Sequence, residues 1–146
     1  QRLERAASGV SDLVAQADEA VTAGQMTDIF SAAKIMMQPY AIYTNGNIVV
    51  TSINNPGGTG VKNTWRVSCP AGNNGALGAV GSTPTGLPAS LSPTSDNEVL
   101  VTEVTFTYTP VFSTIIYQGS TLKAIAYTRP RNHNLMTQPS GTIRCQ

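Results

Sequence analysis

Residues 98–112 read EVLVTEVTFTYTPVF, and the fold turns on how that stretch is taken. Its alternation is that of a half-buried β-strand, with Leu100, Val104, Phe106 and Tyr108 on one side. Val99, Val101, Glu103, Thr105, Thr107 and Thr109 fall on the other. The first set predicts the core face. The second, rich in threonine, predicts a face open to solvent, and it carries the one acid in the middle of the strand. Glu103 is therefore expected on a wet surface, with Lys123, Arg129 or a partner subunit as its counter-charge.

Working back from that strand, Leu3, Ala6, Ala7, Val10, Leu13, Val14, Ala17 and Val21 recur at helical spacing. They predict one amphipathic helix over residues 2–22, closed by Gly24. Gly9 is a mild weakness inside it. Thr27 is the expected cap of a second helix, DIFSAAKIMMQ, which Pro39 stops. After it the period changes to two. YAIYTNGNIVVTSI carries Asn45-Gly46 between apolar runs and predicts a hairpin, and TWRVSC predicts the next strand with Trp65 in the core.

Residues 67–95 contain no charge and are dense in Gly, Pro, Ser, Thr and Asn, which predicts a long surface loop. In the last strand, TLKAIAYTRPR, Leu122, Ala124 and Ala126 share a face on which a helix could lie close. The sum is an α+β plan: a long amphipathic helix and a short second one on one face of a three- or four-stranded antiparallel sheet.

Composition narrows the function. The chain has 146 residues, the size of one domain, with 12% charged residues and a net charge of +1. Nucleic-acid binders carry a basic excess, and here only Arg129 and Arg131 approach a patch. Two cysteines at wide spacing, Cys69 and Cys145, fit no zinc pattern. A single disulfide is the better reading, implying an oxidising compartment, and two separate buried thiols are the alternative.

Catalytic candidates are few. His133 is the sole histidine and has no acid or nucleophile motif beside it. Asp96 and Glu98 flank Asn97 but lack the ligand repeat of a calcium loop. NNPGGTG at 54–60 has neither the Lys-Ser/Thr ending nor the helix of a phosphate loop. A secreted hydrolase using Glu103 or Asp96 ranks last among the readings.

RLERAASGVSDLVAQ, the phrase VTEVTFTYTPVF and the late AYTRPR together resemble the TadE-like proteins. These are pseudopilins, or minor pilins, of the bacterial tight-adherence (Flp) type IV pilus system. The strand motif rests on Glu103, Val104, Phe106, Tyr108, Pro110 and Phe112, and the late motif on Arg129, Pro130 and Arg131.

The resemblance implies a pilin-like fold and, upstream of residue 1, a cleaved leader and an apolar helix anchored in the inner membrane. The domain would then stand in the periplasm and later outside the cell in the pilus. Leu3, Ala6, Val10, Leu13, Val14 and Ala17 would serve helix packing on the sheet and in the filament. The implied role is to prime or cap the pilus through contacts with other pilins and the assembly machinery, with no cofactor and no catalysis. The alternative is an adhesin-like module whose 67–95 loop contacts a surface ligand.

Overall fold

The computed structural model of the chain describes residues 2–16, 21–94, 97–108, 111–112, 115–116, 120–130 and 138–145. Its elements run α1 (Arg2–Ala15), α2 (Ala23–Met37), a single turn α3 (Ile42–Asn45), β1 (Gly46–Asn54), β2 (Lys62–Cys69) and β3 (Glu98–Tyr108). A two-rung ladder of β4 (Val111–Phe112) and β5 (Ile115–Ile116) follows, then β6 (Ser120–Thr128). The main sheet is four-stranded in the order β2-β1-β3-β6, antiparallel at each pairing. The fold is α+β, as the alternation and helical spacing predict.

α1 lies on β3 and β6 because both surfaces are small there. The helix buries Ala6, Ala7, Val10, Ser11, Val14 and Ala15. Beneath it β6 offers buried Ala124 and half-buried Ala126. Ser11 Oγ donates to Thr128 Oγ1 at 2.6 Å, satisfying one buried hydroxyl in that contact, whereas Thr102 Oγ1 on β3 has no partner among the described residues. Gly9 belongs to the same close packing, since a Cβ there would press on the end of Met36 from α2. The main core joins these residues to Met26, Phe30 and Met37 of α2, and to Ile48, Trp65, Leu100, Val104 and Phe106 of the sheet.

Several expectations need correction. The helix expected over residues 2–22 does not reach that far: Thr22 is the N-cap of α2, and its side chain accepts from Gln25 N while the Gln25 side chain accepts from Thr22 N. Gly24 thus sits in the first turn of α2 rather than ending α1. Thr27 lies inside the helix, where its Oγ1 donates to Ala23 O at 2.9 Å. The second helix is therefore as long as the first, at 15 residues against 14.

Asn45-Gly46 makes no hairpin. Residues 42–45 form the turn α3, and Gly46 opens β1 with extended φ of −166°. Glycine is needed there for approach, because a Cβ would overlap the backbone of Thr105 and Phe106 on β3.

The face expected to meet water is covered. Residues 70–94 fold back over it, and Leu77 packs with Ile53, Val99 and Val101 into a second small core that Val61 and Leu87 flank. The disulfide reading holds: Cys69 and Cys145 are bonded, with Cα atoms 5.5 Å apart. The tail that carries Cys145 also donates Arg144 N to Thr27 Oγ1 at 3.0 Å, tying α2 to the β2 edge.

Candidate functional site

Two places along β3 gather expected residues with partners from other elements. The first is Glu103. It is 1% exposed, a position its alternation with Val99 and Val101 does not predict. Its Oε2 accepts from Ala76 N at 2.9 Å and pairs with Lys123 Nζ at 3.0 Å. Lys123 is one of the two counter-charges expected for it. Oε1 faces Gly75, whose φ is +67° and where a Cβ would overlap that oxygen. Glycine thus serves both the left-handed backbone and the close contact. Among the described residues Oε1 has no hydrogen-bond partner.

On β2, Arg66 Nε donates to Thr51 Oγ1 at 2.9 Å. Burial lowers the pKa of its guanidinium, and Glu103 opposes that shift. Asn63 holds the far end of the loop: its Nδ2 donates to Leu77 O at 3.0 Å and Ala79 O at 3.2 Å. The carboxylate clamps the loop and is shielded from solvent.

Between the loop and the tail lies a cavity of about 390 Å³, lined in part by Arg66, Ser68, Gly72, Asn73, Asn74 and Ile143. Its polar groups are amides, a hydroxyl and one guanidinium, chemistry suited to holding a ligand by hydrogen bonds.

The second place is the far end of β3. Arg2, Leu3, Tyr40, Phe106, Tyr108 and Leu122 line an open groove of about 450 Å³. Tyr40 is tilted against Phe106 at 5.5 Å and meets Tyr108 edge-on at 6.5 Å. Arg2 Cζ stands 5.9 Å from the Tyr40 ring centre, and Arg2 Nη1 donates to Gln38 O. Tyr40, Tyr108 and Leu122 are exposed. The groove can seat apolar or planar side chains, and among the described residues its lining holds no acid–base pair.

Of the helix-packing residues, Ala6, Val10 and Val14 are buried within the domain, Leu3 is half-buried at the groove and Leu13 is exposed. Val104 and Phe106 are core; Tyr108 rises from the core line to the groove rim. Phe112 is in β4, Arg129 is exposed and Pro130 half-buried. Ala17, Asp96, Pro110, Arg131 and His133 lie outside the described residues.

Among the described residues no three His, Cys, Asp or Glu side chains gather as a metal cluster would require. No described helix is long and apolar enough to cross a membrane. No protein-family model, curated protein or solved structure matches the chain.

Proposed function

We propose that this domain belongs to a minor pilin or pseudopilin of the tight-adherence type, which primes or caps a pilus through protein–protein contacts and without catalysis. The observation that carries the reading is the N-terminal amphipathic helix laid along a four-stranded antiparallel sheet, with Arg2 and Leu3 at the rim of an exposed aromatic groove. In this reading an apolar helix precedes residue 1, α1 continues it onto the sheet, and the groove receives a neighbouring subunit. The Cys69–Cys145 bond fits a periplasmic and then extracellular domain.

The test is genetic. The full gene should encode a cleavable leader and an apolar segment of about 20 residues upstream. Its deletion should strip the cells of filaments under the electron microscope, and Tyr40→Ala with Tyr108→Ala should fail to restore them. An upstream region without such a segment, or normal piliation in the deletion strain, overturns the reading.

The cavity beside Arg66 and Asn73 favours a second reading, an adhesin-like contact with a surface ligand. Removing residues 70–92 would then abolish adherence while leaving filaments in place.

A further inference from the structure

The two edges of the sheet are built differently. β2 is blunted in three ways. Its ladder with β1 is broken by a bulge at Ser52/Ile53. Its outer backbone is engaged by the loop, Asn63 N donating to Ser82 O at 2.9 Å and Gly81 N to Asn63 O at 2.7 Å. Its end is bonded to the tail through Cys69. Such devices protect an edge from pairing with another chain.

Among the described residues β6 carries none of them. It pairs with β3 over nine residues in unbroken register and contains no proline between Ser120 and Thr128. Among the described residues no strand lies on its outer side. Leu122 is 49% exposed, Ile125 44% and Tyr127 37%. Lys123 is the one charged side chain between Ser120 and Thr128, and its ammonium is drawn inward to Glu103 on β3, so it leaves the strand open to a partner whose register keeps other cations away from it.

We propose that β6 docks a second copy of this chain, the two strands pairing antiparallel about a two-fold axis at Ile125. The four strands of each copy then form one continuous sheet with both helical layers on the same side. This register follows from the residues. With Ile125 on the axis, Ile125 faces Ile125 of the partner subunit, while Lys123 faces Tyr127 across the interface, a cation against a ring. On the helix side Ala124 faces Ala126.

Moving the axis to Lys123 sets two lysines opposite each other, and moving it to Ala126 sets Lys123 against Arg129. Moving it to Ala124 sets each Ile125 against a lysine. Among these four, the Ile125 register alone gives Ile125 an apolar partner while keeping each cation away from another. The contact is isologous, so it closes at two copies, and it stands apart from the pilus reading.

Sedimentation velocity on residues 1–146 with the disulfide intact tests it. The unmodified chain should dimerise as concentration rises. Ile125→Lys places two ammonium groups on the axis and should weaken the dimer roughly 100-fold, as should Ile125→Asp through two carboxylates. Mixing the two variants should restore a heterodimer. Far-UV circular dichroism should show both variants folded, with Ile125→Lys the less perturbed, because residue 125 stands opposite the Glu103 carboxylate. A wild-type chain monomeric to its solubility limit overturns the proposal. So does a dimer that persists in Ile125→Lys, or a mixture that stays monomeric.

Discussion

The two faces of β3 are buried by different physics. On the helix side Leu100, Val104 and Phe106 meet α1 and α2 in an apolar core built from several elements. On the other side a loop with little apolar content is pinned over Val99 and Val101 by Leu77, by Asn63 and by one carboxylate. The first face is held by non-directional area, which many side chains share. The second depends on a few directed contacts, so each of them carries more of the local order.

The difference can be broken by substitution. Leu100→Ala should cost about 3 kcal/mol in urea unfolding, because helices and strands on all sides keep the void open. Leu77→Ala should cost about half as much, since a loop can settle into the space it leaves. Equal costs would mean that the loop is as rigid a wall as the helices.

Glu103→Ala should cost about 2 kcal/mol by removing a charge-assisted hydrogen bond and an ion pair. It should also release the Ala76 amide to hydrogen exchange faster than amides of β1. If Ala76 stays protected, the loop is held by Leu77 and Asn63 alone.

Gly75→Ala should cost about 1–2 kcal/mol, part from positive φ and part from the clash with Glu103. In a Glu103→Ala background the clash is gone and the cost should fall. A double-mutant cycle that is additive would place the whole effect in the backbone.

The smallest expected effect is on the helix side. Tyr43 donates to Phe30 O at 2.6 Å, and burial holds its phenol well above the usual range. A raised folded pKa gives stability that is complete below the unfolded value near 10 and lost as pH rises beyond it. Tyr43→Phe should cost about 1 kcal/mol at neutral pH and flatten the fall in melting temperature above pH 10.

The helix-covered face was legible in the sequence because helical and strand periods both point to it. Trp65, Ala124 and the small residues of α1 needed no other information. The loop-covered face was not. Alternation places Glu103 opposite Leu100, but it cannot say whether a face is bare, and residues 70–94 offer too few apolar side chains to signal a lid. Lys123 was foreseen as a counter-charge for Glu103, but the burial of the acid was not, because it depends on the path of residues 70–94 over that face.

The helix boundary failed for a different reason. Gly24 reads as a stop, yet the Thr22–Gln25 pair beside it is a capping signature that outranks a single glycine. Asn45-Gly46 misled similarly, since its glycine answers a close backbone approach and not a turn. Of the groove, Leu3, Phe106, Tyr108 and Leu122 were named from the sequence, each for another role. Arg2 and Tyr40 were not, and the six residues come from four segments that meet only in the folded chain.

The Cys69–Cys145 bond also decides how the domain bears load. A pull between residue 2 and residue 145 passes along α1, α2, β1 and β2 and then crosses the sulfur bridge. The 76-residue span behind the bridge, with β3 and β6 in it, never joins the line of tension. Roughly 250 Å of contour length is withheld from extension. Stretched on a single-molecule instrument, the oxidised domain should yield only the segment ahead of Cys69, and the reduced one should pay out the remainder.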